Sequence, residues 1–80
     1  MTDALIQNAI ASSVVGLTRH VMEKYDKPDA EAYRTVYDSE LFKLLSDANT
    51  RLFLSTNKEL GDLLDAEIEH GRSALYALLA

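Results

Sequence analysis

The stretch from Tyr37 to Gly71, YDSELFKLLSDANTRLFLSTNKELGDLLDAEIEHG, does most to limit what this chain can fold into. It runs from a short apolar helix pattern through an acid- and amide-rich turn and a three-residue apolar run to a punctuated acidic helix. Thr56-Asn57-Lys58-Glu59 is a T-x-x-E capping box. In such a box the threonine oxygen accepts from the Glu59 amide, and the glutamate carboxylate accepts from the Thr56 amide. Beyond it, Leu60, Leu63, Leu64 and Ile68 recur at helical spacing, with Asp62, Asp65 and Glu69 on the other side. Gly71 stands where a helix stop is needed. The pattern predicts a helix over 57–70.

The N-terminal segment is the longest periodic one. Ile6, Ile10, Val14, Leu17, Val21 and Tyr25 mark one helical face over 4–25, and Leu5, Ala9 and Met22 widen it. Thr2 or Asp3 can cap the start. Gly16, inside the helix, lets a crossing helix come close. Asp26-Lys27-Pro28-Asp29 ends the segment, because proline disfavours the helical conformation at Lys27. Asp29 is then the expected N-cap of a second helix, with Glu31 in its first turn.

Tyr33, Val36 and Tyr37 give that second helix its apolar face. Ser39 can cap a new helix over 40–46, yet Tyr33, Tyr37, Leu41 and Leu44 keep a helical spacing across Asp38-Ser39. One bent or interrupted element over 30–46 is expected. Asp47-Ala48-Asn49-Thr50 reads as a turn. Leu52-Phe53-Leu54 reads as a short buried segment, extended or 3₁₀, and a strand there would need a partner for its backbone. Ser73 can cap a final turn or two over 74–80, where Leu75, Tyr76, Leu78 and Leu79 are too apolar to leave in water. The expected fold is all-α: one helical domain over 1–80, three helices at 4–25, 30–46 and 57–70, a short C-terminal helical turn, and a possible extended piece at 51–54.

Composition narrows the function classes. Eighty residues form a small core, and with no cysteine neither a disulfide nor a thiolate-metal site supplements it. Apolar residues at 48% are too many for disorder. The net charge is −5, and residues 57–71 hold five acids against Lys58 alone. The eight basic residues are scattered, so no phosphate-binding or anionic-membrane surface is expected. That charge also argues against a helix-turn-helix DNA-binding regulator, whose recognition helix would be 57–70. The start of the chain lacks the basic residues of a signal peptide, and no apolar run is long enough for a bilayer. A cytoplasmic location is expected.

Reaction chemistry is sparse. Glu67 and His70 form a single E-x-x-H pair, whereas di-iron bundles use two such pairs plus further glutamates. A metal or enzyme site at Glu67/His70 would have to be completed across an oligomer interface, and no metal or cofactor is expected. Glu67 also falls inside the apolar stripe, between Leu60 and Leu63. Such a residue reaches past the rim to water or pairs with arginine. The sharper expectation is that it anchors a basic residue or free amide of a partner. Asp62, Asp65 and Glu69 read as a solvated face or a dock for a basic protein. His20 reads as a boundary residue. No nucleophile motif, phosphate-cradling glycine loop or calcium loop is present.

Three blocks of the chain carry a resemblance: Ser39-Glu40-Leu41-Phe42, then Asp47-Ala48-Asn49-Thr50-Arg51-Leu52, then Leu63 to Glu69. In these the chain resembles a group of small uncharacterised bacterial helical proteins, a domain of unknown function. The resemblance implies genes lying beside putative toxin-like enzymes, hence an accessory or antitoxin-like role, and it brings no catalytic residues with it. The functional expectation is a non-enzymatic protein-binding module whose partner is a second copy, as a possible homodimer, or a neighbouring gene product. The candidate interface residues are Tyr33, Tyr37, Glu67, Leu75, Tyr76, Leu78 and Leu79.

Overall fold

In a computed structural model, which describes residues 2–79, the apolar stripe of the first segment becomes α1, Thr2–Tyr25. Ile10, Val14, Leu17 and Val21 are buried along it. The cap expected at Thr2 or Asp3 rests on side chains outside those described. α1 stops where Asp26 takes a left-handed conformation, φ 52°, which a short polar side chain tolerates. α2 spans Asp29–Tyr37. Its N-cap is Pro28, not Asp29, and no side chain caps it. Asp29 and Glu31 sit in its first turn, where the helix dipole favours acids.

The element expected over 30–46 is two helices, because Ser39 ends one and starts the next. α3 covers Glu40–Ser46. The Ser39 hydroxyl donates to the Val36 carbonyl at 2.6 Å and accepts from the Phe42 amide at 3.0 Å. One buried oxygen thus closes α2 and opens α3. Two 3₁₀ turns follow, Ala48–Thr50 and Leu52–Leu54. The segment 51–54 is therefore not a strand. Its amide bonds are local, Leu54 to the Arg51 carbonyl and Ser55 to the Leu52 carbonyl, so no pairing strand is needed. Nor is it deeply buried: Leu52 and Phe53 are half-covered and Leu54 is 70% exposed.

α4 spans Asn57–His70 with both arms of the capping box formed. Gly71 ends it at φ 91° and ψ 176°, its amide donating to the Glu67 carbonyl at 2.8 Å. The chain then re-enters a helix at once. α5 is Arg72–Leu79, longer than the expected turn or two, so Ser73 lies inside its first turn and is not its cap. Every regular element among the described residues is helical, and none is long and apolar enough to cross a membrane.

One buried cluster joins the helices: Leu17 and Val21 of α1, Val36 of α2, Leu41 and Leu45 of α3, Leu60 and Leu64 of α4, and Leu75 of α5. α4 crosses α1 at the two interior glycines. A Cβ on Gly16 would come within 2.9 Å of the Asn57 side chain, and one on Gly61 within 3.3 Å of the His20 ring. The close approach expected at Gly16 is therefore real, and Gly61 provides its counterpart.

Candidate functional site

α1 has two working sides. Gly16, His20 and Lys24, spaced one turn apart, face α4. Ala11, Val15, Thr18 and Met22 lie on roughly the opposite side at 100° per residue, and they line an open groove against α2. The groove has two lobes, about 530 Å³ and about 350 Å³, which share Val14, Val15 and Tyr33. Its far wall is an aromatic row. The Tyr33 and Tyr37 rings stack with centroids 5.8 Å apart, and Phe42 of α3 follows at 4.8 Å from Tyr37. Val15, Tyr33 and Tyr37 are 61%, 49% and 53% exposed. From Ala4 to Thr18, α1 carries no ionisable side chain, in a chain where 26% of residues are charged. Charge returns only at one mouth of the groove, with Arg19, Glu23 and Asp29.

The α4 side of α1 is polar. Asp65 Oδ1 accepts from His20 Nε2 at 2.8 Å, and its Oδ2 accepts from Lys24 Nζ at 2.7 Å. Tyr25 Oη reaches Asp65 Oδ1 at 2.9 Å and Glu69 Oε2 at 2.8 Å. Burial pushes the Asp65 carboxyl up, but the hydrogen bonds from Lys24, His20 and Tyr25 outweigh it and hold the group below its ordinary value. Hydrogen bonding from Tyr25 and the nearby Lys24 charge likewise hold Glu69 low. Burial, then the hydrogen bonds to Glu69 and Asp65, displace the Tyr25 phenol well upward. The expected acidic face is therefore divided. Asp62 stays in solvent, paired with Lys58 at 3.3 Å, whereas Asp65 and Glu69 turn to α1.

A histidine on a carboxylate is the pairing that orients a general base. Here both carboxylates are spent on the α1–α4 seam, and none of the five residues lines the groove. The sequence alone does not bring these five residues together, and His20 is more than a boundary residue. The available signal was two one-turn pairs of opposite sign, His20/Lys24 and Asp65/Glu69, on neighbouring helices.

Glu67 does anchor free amides, but they belong to its own chain. Its carboxylate accepts from Glu40 N at 2.7 Å and from Leu41 N at 2.9 Å. With Ser39 accepting from Phe42, the first three amides of α3 are all satisfied. Glu67 pairs with no arginine among the described residues, and its carboxylate is engaged by these two amides of its own chain. His70 is exposed, and among the described residues no group of three or more His, Asp or Glu is placed to hold a metal ion.

The other candidates divide as well. Leu75 is fully buried in the core, so this fold offers no Leu75 surface to a partner. Tyr76 donates to Glu40 Oε2 at 2.6 Å, which joins it to Glu67 at the start of α3. Leu78 and Leu79 remain exposed at the end of α5. Tyr33 and Tyr37 stand together in the groove. No protein-family model matches the chain, and neither a curated protein nor a solved structure matches it.

Proposed function

We propose that this chain is a non-enzymatic protein-binding module, and that its α1–α2 groove receives an uncharged, apolar helical face of its partner. One observation carries the reading: the open groove combines an exposed aromatic row with a charge-free helix. Large exposed aromatic and aliphatic groups on a charge-depleted surface are the composition of interface centres. A helix laid along α1 would seat side chains at i, i+3, i+4 and i+7 between Val15 and the aromatic row. Catalysis is the weaker reading, because the polar seam spends its carboxylates internally and opens onto neither lobe. An accessory role beside an enzyme, as the resemblance implies, belongs to the same proposal.

The test is titration of the isotopically labelled protein with a designed amphipathic helix of leucine, alanine, serine and glutamine. Saturable amide shifts at Ala11, Val15, Tyr33 and Tyr37, with Lys58 and Asp62 unmoved, are the expected result. Tyr37→Asp should weaken the titration without altering the circular dichroism spectrum. Absence of saturable shifts up to millimolar peptide would refute the groove as a docking site.

A further inference from the structure

We infer that the helix seated in this groove is α1 of a second copy, so that the chain pairs about a two-fold axis beside Ala11. This rests on the groove reading above and names its occupant. The charge distribution selects a second copy. Each chain carries −5, so most approaches of two copies bring acids together. The acid-rich α4 lies across α1 from the groove, and the groove side of α1 is uncharged from Ala4 to Thr18. Ala11 is the midpoint of that span.

A two-fold contact sets a surface against itself, so any charge at its centre meets its own like. An uncharged centre with charges only at one end is what such a contact requires. Antiparallel packing places each copy's Arg19 and Glu23 against the start of the other α1, away from the same residues of its mate. Exposed Val15 then finds apolar cover, with Tyr33 and Tyr37 flanking.

A standard interface covers about 800 Å² per partner, a modest part of the 5290 Å² that this chain exposes. α1 is about 36 Å long, and the aromatic row of Tyr33, Tyr37 and Phe42 lies beside it. The exposed residues along its centre are small or polar, Ala4, Gln7, Asn8, Ala11 and Ser12, so two helix backbones can approach closely.

Sedimentation equilibrium tests the pairing. The wild-type chain should show twice its 8.9 kDa mass. Val15→Glu places two like charges near the axis and should weaken association by about 100-fold, returning the monomer mass with unchanged circular dichroism. Because the chain has no cysteine, Ala11→Cys adds a single thiol beside the axis. It should cross-link two copies under oxidised glutathione, whereas Lys58→Cys on α4 should not. A wild-type monomer at millimolar concentration, a dimer untouched by Val15→Glu, or a dimer in which only Lys58→Cys cross-links would each overturn the pairing. A wild-type monomer that binds the designed helix in the groove would refute the second copy and leave the groove reading standing. A monomer that binds no helix refutes both.

Discussion

Replacing Glu67 by leucine removes two charge-assisted hydrogen bonds from the start of α3, at 2.7 Å and 2.9 Å. Bonds to charged groups contribute about 1.5–3 kcal/mol each, so the loss is roughly 3–6 kcal/mol. Leucine gains something in return, because position 67 lies in the apolar stripe of α4. Since the glutamate stem is already half-covered, that gain is about 1 kcal/mol. The loss wins, and the net cost is about 2–5 kcal/mol. An 80-residue domain holds roughly 4–12 kcal/mol in all, so the change removes a large share of it. The corresponding drop in Tm is about 8–40 °C. Glu67→Gln keeps an acceptor oxygen without the charge and should cost about 1 kcal/mol. Urea denaturation followed by circular dichroism measures the order, wild type above Gln above Leu. Hydrogen exchange at Glu40 and Leu41 should quicken in step. A Glu67→Leu protein as stable as wild type would refute the clamp.

Three further outcomes follow from the packing and charges. Gly71 has φ 91° and ψ 176°, a glycine-only conformation, with nothing within 4 Å of a Cβ built there; Gly71→Ala should cost about 1–3 kcal/mol from backbone strain alone, read as a lower urea midpoint. Leu75→Ala empties a fully buried site and should cost about 2–5 kcal/mol, and deletion from Ala74 onward should unfold the chain by circular dichroism. Asp65 has a folded-state pKa below its ordinary 3.8, so its contribution is present above that value and is lost as pH falls through the folded one. Asp65→Asn should therefore flatten the fall in urea midpoint between neutrality and strong acid.

What the sequence reveals depends on how local the deciding interaction is. Thr56 and Glu59 lie three residues apart, and both arms of their box are read directly from the chain. Ile10, Val14, Leu17 and Val21 are equally plain, because one helix face must be buried whichever neighbour covers it. The break at Ser39 is legible only as an alternative. The new helix is also held by Glu67, 27 residues beyond Glu40, whose carboxylate accepts from the Glu40 amide. Leu52-Phe53-Leu54 is too short for any period to show.

Asp65 fails for a different reason. A helical wheel reports which side faces away from the leucines, but not that a second helix with His20 and Lys24 lies there. The groove is half visible. Tyr33 and Tyr37 announce an exposed aromatic edge, but Phe42 joins them only because α3 turns at Ser39.

The Tyr25 hydroxyl sits between two carboxylates but owns a single hydrogen. Its ionisation is displaced upward, so that hydrogen stays in place throughout the neutral range. At any instant it serves one oxygen and leaves the other to its remaining donors. Asp65 keeps His20 and Lys24, while Glu69 keeps Lys24 at 3.5 Å. Switching needs no more than rotation of one O–H bond, a motion on the picosecond-to-nanosecond scale. The first and fourth helices are thus joined by a clasp with two settings, able to ride out a small axial slip that would part a single-partner bond.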